Sequence, residues 1–122
     1  MLPLKGVYEI AVKVKDLARA EAFYKDVLGL QEGLRDDAQR RVFLYVGGKA
    51  GMVVLQEDQG EWPKQHFAFT VRQSDLDQAT GELHDSGVTV SAPLHHEWMG
   101  ATSVYFEDPD GHDLELLALA NS

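Results

Sequence analysis

The chain has 122 residues, 44% of them hydrophobic, a formal charge of −9 and no cysteine. That length and apolar content suffice for one domain with a real core, and the lack of cysteine excludes a disulfide framework and thiolate chemistry, leaving His, Asp and Glu as ligands and bases. The acidic balance argues against nucleic acid and anionic membrane as partners; no segment has membrane-spanning length and MLPLKGVYEI lacks the length and cleavage site of a signal peptide, so a cytoplasmic location is expected.

Val7 to Val14 alternates, with Tyr8, Ile10, Val12 and Val14 on one face and Glu9, Ala11 and Lys13 on the other, and is expected to be a strand. Asp16 is placed to cap the helix that follows, in which Leu17, Ala20, Phe23, Tyr24, Val27 and Leu28 recur at helical spacing until Gly29 stops it. Leu30 to Arg40 is polar and irregular, with room for a short strand at its beginning. Arg41 to Val46 and Met52 to Gln56 are expected strands of a hairpin joined by Gly47-Gly48-Lys49-Ala50-Gly51. Asp58 to Lys64, DQGEWPK, mixes Gly, Pro and charge and is expected to be a linker.

The second half follows the same plan. Gln65 to Val71 puts Phe67, Phe69 and Val71 on one face and His66, Ala68 and Thr70 on the other. Ser74 and Asp77 have capping-box spacing ahead of a helix carrying Leu76, Ala79, Thr80 and Leu83, with Gly87 at its end. Val88 to Val90 is expected to be a short strand and Ser91 to Gly100, with His95, His96 and Trp98, a loop. Thr102 to Glu107 leads into a hairpin through Asp108-Pro109-Asp110-Gly111, whose Pro and Gly suit a tight turn. In the returning strand Leu114 and Leu116 share one face, so Glu115 and Leu117 share the other.

Two copies of one pattern are thus present, with Glu9-Ile10-Ala11-Val12 answering His66-Phe67-Ala68-Phe69. Laying Tyr45 on Tyr105 and Gly51 on Gly111 without a gap sets Leu55 opposite Glu115. Helices can cover only one face of each sheet, which leaves the face bearing Glu9, His66 and Glu115 to curve round a cavity.

The segments EIAVKVKDLARAEAFYKDVLGL, HFAFTV and YFEDPDGHDLELL resemble the vicinal oxygen chelate superfamily, which includes glyoxalase I, methylmalonyl-CoA epimerase, extradiol dioxygenases, fosfomycin-resistance transferases and bleomycin-binding proteins. The resemblance covers nearly the whole chain and implies an α+β fold of two βαβββ modules, about 5–57 and 65–120 around a linker at 58–64. These would form a cupped, barrel-like mixed sheet with helices on the outer face. Family ligands lie at the start of each module's first strand and in its last strand, positions matched here by Glu9, Leu55, His66 and Glu115.

Two departures shape the functional expectation. Glu9 stands where the metal enzymes more usually carry His or Gln, and Leu55 removes a fourth ligand. The resemblance then implies a divalent metal (Mn, Ni, Fe, Zn or Mg) on Glu9, His66 and Glu115, with hard oxygen donors and open positions. Glu9 and Glu115 are the candidate catalytic carboxylates, and Tyr45, Leu55, Trp98 and Tyr105 the candidate substrate contacts. Lys13 and Arg41 are the only basic residues expected near the rim, so a strongly anionic substrate is poorly served.

The leading expectation is a glyoxalase-like metalloenzyme that chelates vicinal oxygens of a small organic substrate, with lyase or isomerase chemistry ahead of dioxygenase. The alternative is a metal-free protein of the bleomycin-resistance type that sequesters a cationic aromatic compound between Trp and Tyr faces. By the same resemblance the protein is expected to be a homodimer with sites shared between chains, Glu9 from one and His66 and Glu115 from the other.

Overall fold

In the computed structural model, which describes residues 1–122, the alternating segments form two four-stranded mixed sheets, one in each of two units, Met1–Trp62 and Pro63–Ser122. Unit 1 contains β1 (Glu9–Val14), α1 (Leu17–Ala22), β2 (Gln31–Asp36), β3 (Arg41–Val46) and β4 (Gly51–Glu57). Unit 2 contains β5 (His66–Thr70), α2 (Leu76–Asp85), β6 (Leu94–His96), β7 (Ala101–Glu107) and β8 (Asp113–Leu119). The orders β1-β4-β3-β2 and β5-β8-β7-β6 are the same, with the first strand of each unit parallel to its last and the other neighbours antiparallel. The α+β class is as expected, but each unit keeps its own ladder and no barrel closes. No helix is long and apolar enough to cross a membrane.

In unit 1, Val12, Val14, Val42, Leu44, Val53 and Leu55 lie on one sheet face and are buried, as are Leu17, Ala20 and Tyr24 on the helix. Asp16 Oδ1 accepts the Arg19 N–H at 3.0 Å, the expected cap. The last turn, Phe23–Val27, is wound as a π-helix, closed by the Leu28 N–H on Phe23 O at 3.1 Å before Gly29 turns the chain with φ +80°.

Register corrects one expectation about the repeat. Leu55 pairs with Val12 and Val42, so it belongs to the core face, fully buried, and does not share the face of Glu9. The residue answering Glu115 is Val54, because Val54 pairs with Ala11 and Phe43 as Glu115 pairs with Ala68 and Tyr105. Four residues join β3 to β4 and five join β7 to β8, and a difference of one residue reverses strand parity. Gln56 therefore shares the Glu9 face, while Glu57 points to the core side, where it accepts the Leu17 N–H at 2.9 Å and pairs with Arg40.

In unit 2, Leu114, Val104, Phe106, Leu116 and Ala118 are buried on one sheet face, as are Leu76 and Leu83 on α2. The Ser74–Asp77 capping box is not formed: Gln73–Asp75 is a 3-10 turn, so Ser74 lies inside it and α2 starts at Leu76 with no side-chain cap from Asp75. The residues 88–90 form no strand. The edge strand comes later, as β6, and a 3-10 turn at Glu97–Met99 follows it, so the expected loop is largely ordered.

The expected linker is also ordered for most of its length. Asp58 donates its N–H to Val14 O at 2.9 Å and accepts the Gly60 N–H on Oδ1 at 2.7 Å, Gln59 donates to Lys15 O at 2.6 Å, and the Trp62 indole donates to Asp58 O at 3.2 Å beneath the Lys15 ammonium. Residues 58–62 are thus a strap on unit 1.

At the other hairpin, Asp108 organises the turn. Its Oδ1 accepts the N–H groups of Asp110 (3.0 Å) and His112 (2.9 Å), its carbonyl accepts the Gly111 N–H (3.0 Å), and Gly111 supplies φ +84°. His112, wholly buried, accepts the Gln65 N–H on Nδ1 at 2.8 Å, while Gln65 O accepts the Asp113 N–H at 2.9 Å. The turn is thereby stitched to the residue just before β5.

Two predictions follow from these contacts. His112→Ala deprives the Gln65 N–H of its acceptor and leaves a cavity, and should cost about 2–4 kcal/mol in urea unfolding. Hydrogen bonds from Arg40 and then from the Leu17 N–H hold the Glu57 carboxyl below its ordinary pKa of 4.5. A depressed folded pKa gives stability that is complete above 4.5 and lost as pH falls through the lower folded value. The stability advantage of wild type over Glu57→Gln should therefore shrink between pH 6 and about pH 3, read as converging urea midpoints.

Candidate metal centre

Parallel pairing of β5 and β8 sets His66 beside Asp113 and Ala68 beside Glu115, so His66 and Glu115 are diagonal neighbours on the sheet face away from the buried leucines. His66 Nε2 lies 3.3 Å from Glu115 Oε1. The two side chains differ in exposure, 55% for His66 and 8% for Glu115, so the imidazole opens to solvent and the carboxylate does not.

The tautomer gives this pair its chemical meaning. Both ring nitrogens of His66 face acceptors, Nδ1 the Asp113 carbonyl at 3.2 Å and Nε2 the Glu115 carboxylate at 3.3 Å. A neutral imidazole has one N–H and can satisfy only one of them. With the hydrogen on Nδ1, Nε2 presents a lone pair to a carboxylate oxygen. A proton on Nε2 or a cation between them resolves the contact, and fixing of Nδ1 by a backbone carbonyl is the usual support for a metal-binding His. The donor set of unit 2 fits a divalent metal as one imidazole nitrogen and one carboxylate oxygen.

The other Glu115 oxygen is occupied. Ser103, wholly buried on β7, donates its hydroxyl to Oε2 at 2.5 Å. Tyr105 sits directly opposite Glu115 in the β7–β8 ladder, and its hydroxyl is 3.1 Å from His96 Nε2. His96, expected in an exposed loop, is half-buried on β6. His95 instead stands 3.2 Å from Thr102 Oγ1, and Trp98 is 82% exposed on the turn after β6.

On unit 1, Glu9 opens β1 and is exposed, on the face that also carries Met52, Val54, Phe43 and Tyr45. The Tyr45 ring lies against Gly33 at the β2 bulge: a Cβ there would come within 2.7 Å of Tyr45 Cε2. Both expected rim cations are engaged. Lys13 pairs with Asp58 at 3.4 Å, and Arg41 pairs with Asp36 at 3.0 Å and lies over the Phe43 ring. Neither unit by itself gathers three His, Asp or Glu side chains at one point.

The structure thus joins His66 to Glu115, sets Tyr105 beside them, puts Glu9 and Tyr45 on one face of unit 1, and removes Leu55 to the core. Sequence reasoning assigned no role to Ser103, His96 or His112. For Ser103 the signal was present, since a residue two before Tyr105 must share its face.

Comparison with known proteins agrees with this architecture. The glutathione transferase FosA of Serratia marcescens is 30% identical over 118 residues, spanning 93% of this chain and 80% of that protein. An integron cassette protein from the Halifax Harbour sewage outfall, HFX_CASS4, is 49% identical with TM-score 0.92, covering 95% of this chain and all of that one. A mutant of the fosfomycin resistance protein FosX from Listeria monocytogenes, crystallised with Mn(II) and 1S,2S-dihydroxypropylphosphonic acid, shares the fold, with TM-score 0.80 at 23% identity over 95% of this chain and 93% of its own. The Glyoxalase/Bleomycin resistance protein/Dioxygenase superfamily model matches residues 6–116, and the chain belongs to that superfamily.

Proposed function

We propose that the protein is a metal-dependent enzyme of the vicinal oxygen chelate type, in which Glu9, His66 and Glu115 hold a divalent cation, Mn, Ni, Fe, Zn or Mg, and a small organic substrate offers it two neighbouring oxygens. The observation that carries this reading is the facing of His66 Nε2 and Glu115 Oε1, an arrangement suited to a shared cation. The FosX structure that holds both Mn(II) and 1S,2S-dihydroxypropylphosphonic acid supports the pairing of a divalent metal with a ligand bearing neighbouring oxygens. When bound, the cation supplies Lewis-acid stabilisation of negative charge developing on the substrate oxygens.

The chain's own residues divide the remaining work. Glu115 is anchored by Ser103, whereas Glu9, exposed at the start of β1, is the carboxylate that would leave the cation to act as base. Tyr105 and Tyr45 present rings and hydroxyls for substrate, with Trp98 as a further exposed aromatic. Because Lys13 and Arg41 are already paired with carboxylates, the favoured substrate is neutral or weakly charged, and lyase or isomerase chemistry ranks ahead of thiol transfer to a phosphonate and of dioxygenation. The cytoplasm is the location this reading assigns, on the cysteine-free, acidic composition. The metal-free alternative, capture of a cationic aromatic compound, draws on the net charge of −9 and the exposed Trp98.

Calorimetry on chelator-treated, tag-free protein decides between them. Wild type should bind Mn(II), and Glu115→Ala and His66→Ala should lose that binding while remaining folded. Leu114→Ala should do the reverse, losing about 2–5 kcal/mol of stability and keeping the metal. Equal metal binding by all four proteins would reject the site, and a tight cationic-aromatic complex unaffected by EDTA would favour the sequestering protein.

The same reading makes the active form a homodimer with Glu9 contributed by one chain and His66 and Glu115 by its partner, supported by the incomplete donor set of each unit alone. A heterodimer of Glu9→Ala and Glu115→Ala chains should regain one intact site per dimer, seen as Mn(II) binding near half a site per chain. No recovery in a verified heterodimer would place each site within one chain.

A further inference from the structure

We propose that Ser103 is the positioning residue of the candidate metal centre, holding Glu115 as a one-oxygen ligand; this rests on the reading of Glu115 as a ligand. Ser103 is wholly buried and Glu115 nearly so, and the hydroxyl donates to Oε2 at 2.5 Å while Oε1 faces His66 Nε2 at 3.3 Å. The strand register produces this division. Ser103 pairs with Leu117, one pleat beyond Glu115 on the same face, so its hydroxyl reaches the carboxylate diagonally from the side away from β5. A hydroxyl donating to an ionised carboxylate forms a charge-assisted bond. Here it fixes the last torsion of Glu115, a broad and otherwise soft rotor. With Oε2 committed, the carboxylate presents one oxygen to a cation and leaves more of the coordination sphere to substrate.

Ser103→Ala removes the donor, and Ser103→Cys keeps nearly the same volume with only a weak donor. Mn(II) is the probe because a thiol is a poor ligand for it. Calorimetric titration of chelator-treated full-length chains should show a 10–100-fold weaker Mn(II) affinity in both variants, with metal-free melting temperatures lowered by no more than the loss of one buried hydrogen bond. Thr102→Ala, on the opposite face of the same strand, should bind as wild type does. Wild-type affinity in Ser103→Cys, alongside loss of binding in Glu115→Ala, would overturn the role of Ser103 and leave the site standing. A metal-free destabilisation large enough to account for the lost affinity would also overturn it, making Ser103 a packing residue. If wild type itself bound no Mn(II), or Glu115→Ala bound as tightly, the site would fall and this proposal with it.

Discussion

Both units depend on the parallel pairing of their first strand with their last. Parallel strands cannot be joined by a tight turn, so each unit must spend a helix and a hairpin between the two, and that requirement accounts for the order of elements. The pairing also decides which side chains share a face. In unit 2 it sets His66 one pleat from Glu115, and the fastening of Gln65 to His112 and Asp113 fixes the register at the point where β5 begins. The chemistry proposed for the protein rests on that register, because a slip of one residue would turn Glu115 into the core and bring Leu114 or Leu116 to the open face.

Much of this was legible in the residues. Alternation in Glu9 to Val14 and His66 to Thr70, the Asp16 cap, the Asp108 turn and the parity of Glu115 against Leu114 and Leu116 all follow from local rules that packing did not overrule, whereas Val7 and Tyr8, expected to open the first strand, lie outside it and are exposed. Leu55 was misplaced because matching two hairpins by their glycines ignores turn length: four residues join β3 to β4 and five join β7 to β8, so the parity of β4 is reversed relative to β8. Residues 58–62 carry the composition of a linker yet are held by a backbone hydrogen bond to Val14 and by side-chain bonds from Gln59 and Trp62, which composition does not encode. β6 was hidden for a related reason: a three-residue edge strand is defined by the ladder it joins rather than by its own sequence.

The electrostatics of the two faces narrow the chemistry. Among the fold's basic side chains, Lys13 and Arg41 stand on the Glu9 face, and each has an acid beside it. Arg35 and Lys25 are likewise tied to Glu21 and Glu32 on the outside of unit 1, where the guanidinium and ammonium keep the Glu32 carboxyl below its usual range. The cluster around Glu115 consists instead of hydroxyl and imidazole groups: Ser103, Tyr105, His96 and His66. Such groups orient polar substrates and relay protons without demanding an anion.

Each ladder is completed by contiguous chain, and this bears on how the protein is made. By the time Trp62 has left the ribosome, every strand and the helix of unit 1 are available, and no residue of the second half is needed to finish its sheet. Folding during synthesis can therefore proceed in two successive stages, each limited by one long loop closure between a first strand and the strand that returns to it. A lesion in the second half removes no strand from the ladder of the earlier sheet.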